Sequence, residues 1–171
     1  GIKANTVRAN RVGEVLRKMF TYAQSWGWRE DNPASGFRRR IENPRERFLS
    51  QEEIRKLAAA LDAAEDRRGA DIIRLCMLTG ARVGEVRQAR FEHFNLEHLS
   101  WSKPASMTKQ RKIHRLPISD EAAAIVRQRQ LLVPRGCAFL FPGDVPGQPV
   151  KEIRRFWAQI GSDDVTAPDG I

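Results

Sequence analysis

Cysteine is nearly absent. Two residues, Cys76 and Cys137, leave no disulfide framework, so a reducing cytoplasm is the expected compartment. Cys76 lies in the apolar run Ile72-Ile73-Arg74-Leu75-Cys76-Met77-Leu78, where a buried, inert thiol is expected. No apolar run is long enough to span a bilayer, which argues against a membrane partner. The first residues, Gly1-Ile2-Lys3-Ala4-Asn5, lack the apolar stretch of a secretory signal. The three histidines, His93, His98 and His114, are scattered and form no close cluster with Cys or Asp, so neither a metal site nor a cofactor is expected. Tyrosine occurs once, as Tyr22 near the N-terminus.

What is abundant is positive charge. Thirty Lys and Arg against twenty-one Asp and Glu give a net charge of +9, and most of the cations are arginines. A chain with a pI near 10.4 suits a polyanion, because neutralised phosphates release condensed counterions. The bland alternative is a protein that is merely basic. Membrane-surface binding fits less well, since no basic amphipathic helix carries a strong aromatic face.

Apolar periodicity predicts a chain that is α+β but mainly α. Val12, Val15, Leu16, Met19, Phe20, Ala23 and Trp26 outline an amphipathic helix over about 6–28, stopped by Gly27 and Asp31-Asn32-Pro33. An arginine-rich stretch with a proline and no apolar period, 38–47, reads as a linker. Its Arg38, Arg39, Arg40, Arg45 and Arg47 would either lie along a phosphate backbone or simply face solvent. Ser50-Gln51-Glu52-Glu53 is a capping box, with Leu49 and Ile54 placed for a hydrophobic staple. That helix is expected to fade at Asp66-Arg67-Arg68-Gly69, and a second to cover 70–79 up to Gly80. Leu99-Ser100-Trp101-Ser102 is a strand candidate. Ser106–Lys109 and Ile113–Pro117 read as a hairpin around Gln110-Arg111-Lys112. Ser119-Asp120 caps a further helix through Leu131. Phe139–Pro142 is extended, and a last helix lies within 148–161 with Ile153, Phe156, Trp157 and Ile160 on one side.

Thr79-Gly80-Ala81-Arg82-Val83-Gly84-Glu85-Val86 carries the chemistry. Arg82 and Glu85 stand one turn apart just past a glycine stop, so a carboxylate could orient a guanidinium for bidentate grip on a phosphate. A solvent-facing i,i+3 ion pair is the plainer alternative. Together with the capped helix at 48–54, Lys109 eight residues before Pro117, and Phe139-Leu140-Phe141-Pro142, the octet resembles the tyrosine recombinase family, in particular phage-type integrases.

That resemblance covers most of the chain from about residue 45. It implies 1–37 as the end of a helical core-binding domain, 38–47 as a basic linker and 48–171 as the N-terminal portion of a helical catalytic domain with a small antiparallel sheet. It implies site-specific recombination of double-stranded DNA through a 3′-phosphotyrosyl intermediate, in a parent that assembles as a tetramer and resides in the cytoplasm of a bacterial host. Arg82 would contact the scissile phosphate, Glu85 would support it and Lys109 would protonate the leaving 5′ oxygen, with Lys112 its rival. Arg111 and Lys112 would contact DNA. The family's His-x-x-Arg motif and nucleophilic tyrosine do not occur after Arg82, and Tyr22 precedes it. The chain is therefore expected to be truncated, unable to cleave DNA alone, and exposed at Leu75, Leu78 and Val86. A non-catalytic helical DNA-binding protein is the alternative function.

Overall fold

The computed structural model describes residues 6–42, 48–105 and 112–162, the side chains of 161 and 162 excepted. The chain divides into two units, Gly1–Phe48 and Leu49–Ile171.

In the first unit, α1 spans Thr6–Ser25. A buried asparagine on this helix ties the 40–42 segment back onto it. Asn10 Nδ2 donates to the Arg40 carbonyl (2.8 Å) and to Glu42 Oε1 (2.7 Å), while its Oδ1 accepts from the Arg40 amide (2.9 Å). Gly13 is glycine because the Phe37 ring lies on it: a Cβ there would sit 2.2 Å from ring atoms. The apolar face read from the sequence is largely exposed within this unit, with Val12, Val15, Leu16, Met19 and Trp26 all accessible.

The second unit is mainly helical with one small three-stranded sheet. Its helices are α2 (Gln51–Ala63), α3 (Arg67–Thr79), α4 (Val83–Arg87), α5 (Asp120–Leu132) and α6 (Arg154–Ser162). The expected capping box starts α2: Ser50 Oγ accepts from the Glu53 amide (3.2 Å), and Glu53 Oε2 accepts from the Ser50 amide (2.7 Å). Asp66-Arg67-Arg68-Gly69 begins a helix instead of ending one. Asp66 Oδ1 accepts from the Gly69 amide (3.0 Å), and this N-cap chemistry outweighs the polar appearance of the run.

The sheet order is β1 (Phe94–Asn95), β2 (Ser100–Lys103), β3 (His114–Pro117), all antiparallel. The strand paired with His114–Pro117 is Ser100–Lys103, with Lys103 opposite His114; Ser106–Lys109, the arm expected from the sequence, lies outside the described residues. Residues 148–150 stay extended, because Val150 N–H donates to the Phe141 carbonyl (2.9 Å) and Pro142 bridges Pro149. The last helix consequently begins only at Arg154.

Helix α3 is central and packs against α2, α4 and α5. One core gathers Ile72, Leu75, Val86, Trp101, Val126, Leu140 and Phe141; a second joins Leu57, Leu61 and Ala70 to Phe156 and Ile160 of α6. Leu75 and Val86 are fully buried, contrary to the sequence expectation, because the strands and α5 cover them; Leu78 is exposed as expected. An ion pair is sealed between α3 and α5. Arg129 Nε donates to Asp71 Oδ2 at 2.8 Å, with both side chains almost fully buried.

Two changes test this packing. A Cβ at position 69 would meet the Phe156 ring at 2.4 Å, so Gly69→Ala is expected to lower stability by about 1–3 kcal/mol in chemical denaturation. Arg129→Met leaves the buried Asp71 carboxylate with Arg74 (3.3 Å) as its remaining cation, and is expected to lower stability by about 3 kcal/mol in the same measurement.

Candidate phosphate-binding site

The site begins where α3 stops. Gly80 takes the left-handed conformation (φ 64°) that an L side chain adopts only with strain, and its amide donates to the Cys76 carbonyl at 2.9 Å. Thr79 Oγ1 accepts from the Ala81 amide (3.3 Å), and the chain turns into extended backbone at Arg82, which precedes α4. Helix α4 is only five residues long, too short to hold itself by backbone bonds alone. Its anchors are Val86, fully buried, and Glu85.

Glu85 is engaged three times. Its Oε1 accepts from an Arg82 guanidinium nitrogen at 2.9 Å, and its Oε2 accepts from the Arg82 amide at 3.3 Å and from Lys103 Nζ at 2.6 Å. The carboxylate and the ammonium are nearly sealed from solvent, at 11% and 7% exposure, whereas the Arg82 side chain is 75% exposed. The Arg82–Glu85 pair expected from the octet is thus present, and it is not a simple surface pair. One end of the guanidinium is fixed from below and the rest faces outward.

Lys103 is not among the residues that the sequence singles out. It is the last residue of β2, and its Nζ also lies 4.9 Å from the centroid of the buried Trp101 ring. A signal does exist: along β2 the burial alternates, so Lys103 shares the inward face with Trp101 two residues earlier. As a strand-end lysine before Pro104, it looks like an exposed charge.

The other sequence candidates are spread over both units. Arg38, Arg39 and Arg40 belong to the first unit and are exposed. Arg39 pairs with Glu14 (3.1 Å) and Glu42 (3.3 Å), so its charge is partly satisfied. Lys112 is exposed at the approach to β3. Lys109, Arg111, Arg45 and Arg47 lie outside the described residues. Tyr22 sits on α1, half exposed, stacked on Trp26 at 5.7 Å. Among the described residues no group of three or more His, Cys, Asp or Glu side chains could hold a metal ion, and no helix is long and apolar enough to cross a membrane.

The electrostatics of the site are set by this geometry. Burial pushes the Glu85 carboxyl up, but the hydrogen bonds from Lys103 and Arg82 outweigh it and hold the group below the ordinary carboxylate range. Burial, aided by the Glu85 charge, pushes the neighbouring Cys76 thiol up to about 11, so it stays protonated and unreactive at neutral pH. A depressed folded-state value means ionised Glu85 stabilises the fold above the ordinary carboxylate pKa. That contribution is lost as pH falls through the lower folded value. In urea unfolding series from about pH 6 down to about pH 3, Glu85→Gln is therefore expected to flatten the acid loss of stability.

Comparison with known proteins agrees with this architecture. Residues 47–159 match the phage integrase family. The integrase of Escherichia phage P2 is 33% identical over 144 residues, covering 83% of this chain and 38% of that protein. Prophage integrase IntZ of Escherichia coli (strain K12) is 35% identical over 98 residues, covering 57% of this chain and 24% of the relative. The chain thus spans well under half the length of these curated relatives. Among solved structures, the Tn1549 transposon integrase, seen in complex with circular intermediate DNA, superposes with a TM-score of 0.71 at 13% identity, over 97% of this chain and 62% of that one. The catalytic domain of bacteriophage HP1 integrase gives a TM-score of 0.51 at 22% identity, over 72% of this chain and 62% of that domain. At those identities the structural likeness speaks for the fold alone. With the family match spanning most of the second unit, the chain belongs to the phage integrase family of tyrosine recombinases.

Proposed function

We propose that this chain supplies the first half of a phosphoryl-transfer site that cuts and rejoins double-stranded DNA, with Arg82 contacting the non-bridging oxygens of the scissile phosphate. The observation that carries the reading is the division of the Arg82 guanidinium: one nitrogen bound to a nearly buried carboxylate, the rest exposed. A cation fixed in advance stabilises the charge that gathers on phosphate oxygens without reorganising solvent. Glu85 orients it and, already ionised, takes no part in proton transfer.

Lys109 fits as the proton donor to the departing 5′ oxygen. An ammonium on a hairpin can reach an alkoxide leaving group when an adjacent phosphate orients it. The support lies at the hairpin root, where Lys103 is bonded to the same carboxylate that holds Arg82. Arg38, Arg39, Arg40, Arg45, Arg47, Arg111 and Lys112 serve as backbone-phosphate contacts, whose role is affinity and not sequence choice. The second arginine motif and the attacking tyrosine come from outside these 171 residues, since Tyr22 precedes Arg82 and belongs to the other unit. The whole protein forms the 3′-phosphotyrosyl link and assembles as a tetramer on its sites; the chain alone binds DNA without cutting it.

Two measurements test this. Affinity of the chain for a fluorescein-labelled duplex of about 30 base pairs should fall steeply with KCl, with a log–log slope near −0.9 for each phosphate contacted. Salt-insensitive binding would contradict a phosphate-reading surface. On a nicked half-site duplex, the chain should give no covalent adduct. The protein carrying a downstream His-x-x-Arg and tyrosine should give one, and Arg82→Ala should cut its rate by about 10³-fold or more while costing only several-fold in duplex affinity. A cleaving chain, or a cleaving Arg82→Ala protein, overturns the assignment.

A further inference from the structure

Lys103 sits where an apolar residue would be the ordinary choice. It lies on the inward face of β2, two residues from Trp101, with 7% of its side chain exposed. At that burial its ammonium is turned to the interior carboxylate and not to solvent. Among the described residues it meets one carboxylate, Glu85 Oε2 at 2.6 Å, and one ring face, Trp101 at 4.9 Å.

The charge sum around Glu85 gives this placement a consequence. Arg82 and Glu85 alone form a neutral pair at 2.9 Å, and an incoming phosphodiester would meet a cation already cancelled by its own partner. Lys103 adds a second cation on the buried side of the same carboxylate. The cluster then carries one net positive charge, and the exposed end is the Arg82 guanidinium. Screening is weak on the buried side and strong on the exposed side, so the two cations are not interchangeable. The inner one neutralises and the outer one remains available.

We propose that Lys103 is a positioning residue for the phosphate site: it neutralises Glu85 from within, so that Glu85 can hold Arg82 without quenching its attraction for a DNA phosphate. This rests on the assignment of Arg82 as a phosphate contact. It also ties the root of the hairpin that leads to Lys109 to the start of α4, through a single carboxylate.

The experiment uses the 171-residue chain and a fluorescein-labelled duplex of about 30 base pairs, read by anisotropy across a KCl series. Lys103→Met is expected to weaken binding several-fold and to reduce the log–log salt slope by about 0.9, as Arg82→Ala does, because either change removes the one net charge. Lys103→Arg keeps the charge and should stay within about twofold of the unchanged chain. The decisive variant is Glu85→Gln combined with Lys103→Met, which removes both buried charges, avoids a stranded ion should the single variant fold poorly, and leaves Arg82 uncancelled. It should recover affinity and slope. If Arg82→Ala weakens binding and Lys103→Met does not, the role given to Lys103 is wrong while the phosphate assignment stands. Should the double variant bind as weakly as Lys103→Met, or as weakly as Arg82→Ala where Lys103→Met does not fold, Lys103 is a packing residue only and the inference fails. If Arg82→Ala changes nothing, the phosphate assignment itself falls, and this inference with it.

Discussion

The Glu85 carboxylate is the point on which the proposed phosphate site turns. An ionised carboxyl taken out of water is costly unless it is paired and hydrogen-bonded, and Glu85 is met from both sides. Each partner comes from a different piece of secondary structure: Arg82 from the turn that starts α4, Lys103 from the end of β2. A five-residue helix cannot fix a functional side chain through its own backbone bonds. Here its orientation is borrowed from Val86 in the core and from a strand whose neighbour Trp101 is fully buried. The exposed guanidinium is thereby tied to groups anchored in the interior.

Local chemistry makes much of the fold readable. The Ser50–Glu53 box, the Gly80 stop and the Ser119 cap each involve residues within four positions of one another, so the sequence displays donor and acceptor side by side. Asp66 misleads for a related reason. A run of four charged or small residues looks like a helix end, and only the reach of the Asp66 side chain to the Gly69 amide makes it a start. Long-range pairing leaves no such trace. Arg129 and Asp71 are 58 residues apart, and nothing in the neighbourhood of either announces a buried partner. Strand β1 has two residues, too few for any alternation to register, and the pairing of Ser100–Lys103 with His114–Pro117 emerges only from the cross-strand register.

The site divides along the same line. Arg82 and Glu85 are legible because a three-residue separation across a helix start is itself the geometry of the contact. Lys103 is 18 residues from Glu85 and approaches it through the sheet, so only the inward parity it shares with Trp101 could point to it. Lys109, outside the described residues, is proposed only from its spacing to Pro117 and from family likeness. Physical chemistry alone would not separate it from Lys112.

Stability alone does not account for a lysine at position 103. Replacing both members of a buried ion pair with well-packed neutral residues is often neutral or favourable, because the desolvation cost of two charges disappears together. Arg129 and Asp71 come closer to that comparison: both are sealed between α3 and α5, and Asp71's further partner, Arg74, is itself mostly covered. The Glu85 cluster differs in having one member, Arg82, held outward at 75% exposure. Substituting Glu85 and Lys103 by neutral side chains would keep the charge of Arg82 but surrender the ionic hydrogen bonds that aim it. Keeping Glu85 without Lys103 would keep the aim but cancel the charge. Only the three-membered arrangement supplies both direction and net positive potential at the same atom, which is what the proposed contact with a phosphate of developing charge would require.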